Sequence, residues 1–339
     1  MARVFIYSHD LKTFYGELIC RTVRAWTLNA PLDQLPTATV YVATADPELT
    51  QEMLRYRNVL YITDGILPDW AGQIGEPSGR GYTETRITAT AYETVLDDRY
   101  PLNNVKTTTP GVIFESLIND ANAVEPLGID LADVEDLDRP ISFSRGSLST
   151  LQAMQWLQRK TKFQWGITPT LPEGQPPRFD AWFRQTAGYD WTGDVNRLEL
   201  IEDINIECEP SGDVIVTNGR VKNDVKVVAS SGSTDNAFEA FAFDIESASL
   251  YGIAQYVTAE NAKSKDIAQQ RADRELAQRL KPGDRPAVTV NDPAIFPYLI
   301  LGSRYPLYLP RLNWEGDVEL IGMAYDDLAN KVECVVEVI

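Results

Sequence analysis

Histidine is nearly missing from this sequence: His9 is the only one in 339 residues. One imidazole excludes multi-histidine metal centres, and no nucleophile pattern around His9 orients a Ser-His-Asp triad. Cysteine is almost as scarce. Cys20, Cys208 and Cys334 stand far apart, with no CxxC or CxxH spacing, so neither a disulfide framework nor a zinc site is indicated. All three sit in apolar, strand-like runs and are expected to be small buried hydrophobes. Long apolar runs are missing too: no window approaches the roughly 18 apolar residues of a membrane helix. Met1-Ala2-Arg3-Val4-Phe5-Ile6-Tyr7 enters an alternating pattern at once, without an apolar h-region or cleavage site. No signal peptide is expected, and assembly in a cytoplasm is. Positive charge is in deficit: 31 Lys and Arg face 49 Asp and Glu, a formal net charge of -18. Such a surface repels phosphate backbones, which argues against specific nucleic-acid binding. GxSxG, HExxH, P-loop and GxGxxG signatures are all absent.

What is present is β pattern. The length allows about two or three domains. Thr39-Val40-Tyr41-Val42-Ala43 and Val59-Leu60-Tyr61-Ile62 read as strands, and Thr85 to Tyr92 alternates with period 2, placing Ile87, Ala89 and Ala91 on one face. Short strands between Asn, Pro, Asp and Gly predict a sandwich or barrel. Asp46-Pro47 starts a predicted short helix through Leu54. The period then changes. Thr109-Pro110 opens a helix to about Asn122 with a stripe of Ile113, Phe114, Leu117, Ile118 and Ala121. A second helix starts near Ser149, with Gln152 as capping-box partner. Phe163–Ile167 and Phe179–Phe183 read as a hairpin across the Pro-rich loop 169–177. The β pattern resumes near Leu198. Val214–Thr217 and Val221-Lys222 look paired, Val225–Val228 continues, and 230–233 reads as a loop. Thr258–Leu280 reads as the longest helix, with a narrow stripe of Ala268, Ala272, Leu276 and Leu280 stopped by Lys281-Pro282-Gly283. A closing hairpin pairs Val318–Ile321 with Val332–Val338.

The fold class expected is therefore β-rich α+β. Its parts are a first β-barrel at 1–104 completed near 200–215, an inserted α+β domain at 105–197, a second β-barrel at 198–257 and 283–339, and the helix 258–282 as an accessory element. Little chemistry accompanies it. Asp69 and Glu76 flank Trp70 and could serve a glycosidase only across a sugar cleft. The acids Asp130, Asp133, Glu135, Asp136 and Asp138 read as a solvated loop, without the glycine and final glutamate of a calcium loop. Trp156, Trp165, Trp182 and Trp191 fall in the inserted domain, where core packing outweighs an aromatic sugar platform. No catalytic, cofactor-binding or metal residue is assigned.

The order of pieces carries more information than any one residue. Trp26-Thr27-Leu28-Asn29-Ala30-Pro31, a strand, Asp46-Pro47-Glu48, Val59 to Gly65, Trp70-Ala71-Gly72-Gln73-Ile74, and a strand ending Ala91 to Arg99 resemble the N-terminal half of phage tail-tip hub proteins. These are minor tail proteins of long-tailed actinobacterial phages, akin to the baseplate hub of contractile phages and to the structural part of tail-associated lysins. The helix after Thr109-Pro110-Gly111 and the C-terminal order of helix, Lys281-Pro282-Gly283-Asp284, strand and hairpin fit as well. The resemblance implies two tail-tube-like barrels per chain and a homotrimer forming a pseudo-sixfold ring. It implies a virion location, contact with a distal tail protein ring, tail tube or tape measure protein and with tip fibre or spike proteins, and passage of genomic DNA without specific binding. It implies no cofactor, no membrane span and no enzyme; the chain ends at Ile339, so a cell-wall activity is expected elsewhere. A carbohydrate-binding or glycoside-hydrolase tail protein is the alternative. Trp70, Trp26, Ala272 and Leu276 are the assembly candidates, Trp70 as a corner pin where a hairpin leaves its barrel.

Overall fold

A computed structural model describes residues 2–27, 35–47, 49–75, 83–102, 105–138, 140–144, 146–193, 197–207, 223–230, 237–245, 248–249, 253–261, 265, 268–269, 271–273, 276, 287–312 and 314–339. The chain divides into a large unit, Met1–Cys208 with Val288–Glu337 and Ile339, and a small unit, Glu209–Ala287 with Val338.

The large unit begins with β1 (Arg3–Tyr7), β2 (Phe14–Leu18), β3 (Arg21–Thr27), β4 (Thr37–Ala43), β5 (Val59–Thr63), β6 (Trp70–Ile74) and β7 (Glu84–Ala91). An inserted module follows: β8 (Val105–Thr108), α1 (Pro110–Val124), β9 (Ile129–Val134), β10 (Ile141–Phe143), α2 (Thr150–Thr161), β11 (Gln164–Thr170) and β12 (Arg178–Arg184). The chain returns through β13 (Leu200–Ile201) and β14 (Ile206–Glu207). The small unit holds β15 (Asp224–Ser230), β16 (Ala237–Phe243) and β17 (Gln255–Asn261). Finally β18 (Ala287–Val290), β19 (Arg304–Leu309), β20 (Trp314–Asp326) and β21 (Lys331–Val338) complete the large sheet.

The expected pair of barrels is not what forms. One 13-stranded sheet runs β14-β18-β21-β20-β3-β4-β7-β6-β5-β1-β2, with β19 on β20 and β13 on β19, and no sheet closes among the described residues. The reason is β20. Its first half pairs antiparallel with β19, and its second half, Gly322 to Asp326, pairs antiparallel with Thr27 to Val23 of β3. A 13-residue strand is long enough to serve two neighbours in succession, so the two β regions fuse edge to edge. The stretch 198–257 is likewise divided: β13 and β14 join the large sheet, whereas β15 to β17 form a sheet of their own.

Burial explains the apolar runs of β1 and β5. Phe5, Tyr7, Val59 and Tyr61 point into the core shared with the inserted module, while Val4, Ile6, Leu60 and Ile62 point into the core on the opposite face. Alternate residues of a strand face opposite sides, so two covered faces require a nearly continuous hydrophobic run. The module packs on the first of these faces. Tyr92 stacks on Phe179 at 3.6 Å and donates its hydroxyl to the Leu127 carbonyl at 2.7 Å. In α2, Ser149 and Gln152 form the expected capping box.

Three local expectations need correction. Residues 47–54 are turns and irregular backbone where described, not a helix: Asn58 donates its side-chain amide to the Glu52 and Met53 carbonyls, and Leu49 and Met53 are drawn into the core. The acidic stretch is not all loop. Asp130 and Asp133 lie on β9, and Asp136 accepts from the Gly111 N–H at 2.9 Å and from the Thr109 hydroxyl, replacing Thr109 as the cap of α1. Thr258 to Asn261 belong to β17, paired in parallel with β15; within 258–280, the described helical residues lie between 265 and 276. The ladder on β15 takes the segment whose alternation suits a strand. The proposed pair at 214–222 lies outside the described residues.

Candidate functional site

The two predicted tryptophans of the large unit meet at one place. Trp70 opens β6 opposite Ile62 and is 2% exposed. Its indole lies across Gly72, where a Cβ would come within 2.4 Å of the ring and 2.3 Å of the Thr90 carbonyl oxygen. A strand glycine is used here because a ring and a neighbouring backbone occupy the space of a side chain. Trp26 sits half-buried near the end of β3, in register with Met323 of β20. Both line a cleft of about 350 Å³, together with Trp165, Trp182, Asp69 and Glu93. The cleft thus gathers residues from the N-terminal strands, the inserted module and the C-terminal strands.

Its module side repeats the construction of Trp70. Trp182 of β12 stands opposite Gly166 of β11 and covers it, with the six-membered ring 2.6 Å from where a Cβ would be. Its indole N–H donates to the Thr168 hydroxyl at 3.1 Å, and the Arg184 guanidinium lies 5.5 Å from the ring centroid. Arg184 also pairs with Asp133 at 2.7 Å. The polar groups are few and partly engaged. Asp69 accepts from the Tyr61 hydroxyl, and burial, then this contact, raises the phenol above its ordinary range. Burial likewise raises the Glu93 carboxyl, against the Ile167 N–H that it accepts at 3.4 Å. Trp156 and Trp191 do not join this group: Trp156 packs on Phe143, and Trp191 on Tyr189 and Tyr298.

A buried polar cluster beside the cleft escaped the sequence reading. Arg24 of β3 is fully buried; it pairs with Asp64, and its guanidinium lies 5.3 Å from the Trp26 ring and 5.0 Å from the Tyr325 ring. Asp64 also accepts the N–H groups of Ile66 and Leu67, both at 2.9 Å. Asp327, just past β20, feels the same cation; burial nevertheless raises its carboxyl above the ordinary value. Arg24 therefore ties β3, the turn after β5 and the end of β20 into one electrostatic unit. The available signal was Thr22, Arg24 and Trp26 on one face of a strand, which spacing alone does not distinguish from a wet face.

Ala272 and Leu276 belong to the small unit. Ala272 is fully buried with Ala268 against Val225, Val227, Ala229, Ala240 and Ala242, and Leu276 flanks this core. His9 is exposed. Cys334 is buried and Cys20 half-buried, and burial lifts both thiols to about 12, out of reach of nucleophilic chemistry. Asp69 is in the cleft wall; Glu76 lies outside the described residues. No metal-binding group of acids, histidines and cysteines occurs among the described residues. No described helix is long and apolar enough to cross a membrane.

No protein-family model matches the chain, and no curated protein matches it by sequence. Solved structures do. The 43 kDa tail protein of prophage MuSo2 from Shewanella oneidensis aligns with a TM-score of 0.63 at 12% identity, over 100% of this chain and 97% of its own. A tail protein from Neisseria meningitidis MC58 gives 0.60 at 16% identity, covering 99% and 96%. Prophage tail protein gp18 from Listeria monocytogenes EGD-e gives 0.57 at 13% identity, covering 99% and 94%. Over its whole length, then, this chain has the fold of phage tail proteins.

Proposed function

We propose that the protein is a structural component of a phage tail tip or baseplate. The observation that carries this reading is end-to-end similarity in fold to three phage tail proteins, with nearly complete coverage on both sides. Partial likeness would fit a shared module; full coverage fits a shared architecture.

Within this reading the chain is a hub. Three copies form a pseudo-sixfold ring that adapts a sixfold tail tube to threefold tip components. The ring meets a distal tail protein ring, tail tube or tape measure protein above and fibre or spike proteins below. It resides in the virion and lets genomic DNA pass. The acidic balance, -18 per chain, suits a channel that repels phosphates instead of holding them. The module at 105–197 is an insertion between β regions, and Trp26, Trp70, Ala272 and Leu276 act in packing and assembly, not in chemistry. No enzymatic step is assigned. Mass measurement of the purified protein tests the hub: the expected particle is three times the 37.9 kDa chain, or a higher multiple of three. A strict monomer that also fails to enter tails in a reconstitution with its phage neighbours would sink the proposal.

A further inference from the structure

We infer that the tryptophan-lined cleft is a binding site for a neutral sugar. The inference does not depend on the hub reading. Its volume, about 350 Å³, falls at the lower end of the range for small-molecule sites, which are mostly apolar with a few placed polar groups.

The floor is built for a flat ring. Trp182 lies on Gly166 and is the indole offered to the ligand, whereas Trp70, 2% exposed on Gly72, is the buried support of the wall behind it. Any residue larger than glycine at either position would lift the indole off its strand. Both glycines are strand-interior positions that weaken a sheet, so each loss of sheet stability is matched by the indole that replaces the missing side chain. Trp165 and Trp26 are half-buried and flank this floor. An indole face attracts the weakly positive C–H face of a pyranose, and the ring's hydroxyls then point sideways to polar groups.

The charges select among ligands that stack. Asp69 and Glu93 stand in an apolar wall, where an anionic guest would be desolvated beside like charge. That disfavours phosphates, nucleotides and acidic peptides. The Arg184 guanidinium, 5.5 Å from the Trp182 ring centroid, already places a positive charge at this wall, which disfavours quaternary ammonium groups. A neutral polyol satisfies both: its hydroxyls donate to Asp69 and Glu93 and accept from Arg184. Tyr61 and the Ile167 N–H hold the two carboxylates in place without using all their acceptor capacity.

The test is titration of the full chain with maltose, cellobiose and N,N′-diacetylchitobiose, followed by tryptophan fluorescence and calorimetry, with choline as the cationic counter-probe. At least one disaccharide is expected to bind saturably, and choline not to. Trp182→Ala is expected to weaken binding about tenfold, the loss of one stacking face. Glu93→Gln, which preserves shape, keeps the inference testable if Trp182→Ala fails to fold; it should weaken binding measurably with an unchanged circular dichroism spectrum. Absence of saturable binding by all three sugars, affinity unchanged in a folded Glu93→Gln, or preferential choline binding would each overturn the assignment. Trimer formation reports separately on the hub, so the two readings fail independently.

Discussion

In the large unit the fully buried side chains include Arg24, Tyr61, Tyr305, Phe114, Phe179 and Phe183. In the small unit the buried core is Val225, Val227, Ala229, Ala240, Ala242, Ala268 and Ala272. The first core is fixed by rings and charges that admit one arrangement each. The second is fixed by close approach, with helix and sheet held apart by little more than methyl groups, and by a polar latch: Gln269 donates to the Phe241 carbonyl at 2.7 Å and to Asp273 at 3.0 Å. Large buried groups concentrate stability in a few positions; small ones spread it thinly.

The contrast can be broken from the large side first. Arg24→Ala should leave Asp64 buried without its cation and destabilise the large unit by about 3–5 kcal/mol in denaturant unfolding. Adding Asp64→Asn should recover part of the loss, because the stranded charge is then removed. A single Arg24→Ala variant as stable as the parent would show that the cluster is wet. Trp70→Ala comes next, at about 3–4 kcal/mol, since a buried indole and its cover over Gly72 are lost together. An unchanged thermal midpoint would contradict that burial.

On the small side, Ala272→Glu places a charge among methyl groups and should cost about 2–3 kcal/mol. The loss should be confined to one unit: amide exchange protection in β15 to β17 should vanish while that of β5 and β12 persists. Loss of protection throughout would mean that the units fold as one. Ser149→Ala should cost about 1 kcal/mol, since the serine caps α2 and also donates to Asp97 at 2.7 Å. Glu93→Gln should have the smallest effect and one that depends on pH. Burial raises the folded-state carboxyl above 4.5. Its stabilising contribution is therefore complete below that value and is lost as pH rises through the folded-state value. The variant should flatten this decline, so its stability relative to the parent should improve from acid to neutral pH.

The helix α1, the capping box of α2 and the hairpin β11–β12 were legible in sequence because their determinants are local: period, cap and turn. Trp70 is buried, as its place beside an apolar strand suggests. The barrels were misread because strand pattern does not specify a partner. Nothing in Arg21 to Thr27 announces that Gly322 to Asp326 will lie beside it. The segment Thr258–Asn261 was misread because alanine and glutamate favour helix until a neighbouring ladder recruits them. In the cleft, Trp70 and Asp69 were visible as neighbours in sequence. Their meeting with Trp182 and Glu93 depends on long-range packing, which no local window contains.

The β3–β20 seam also sets a timetable for synthesis. A ribosome working at roughly 5–20 residues per second needs about 15–60 s to add the ~300 residues between Thr27 and its partner Gly322. Throughout that interval one edge of β3 is an open template, and Arg24 has Asp64 for company but not yet Asp327. The nascent chain thus carries an unfinished sheet edge until β20 emerges, and an edge of this kind pairs readily with other chains. Messages truncated before β20 would release products with that edge permanently exposed. Closure of the large sheet therefore waits on β20, and the emergence of Gly322 to Asp326 is the event that seals the seam.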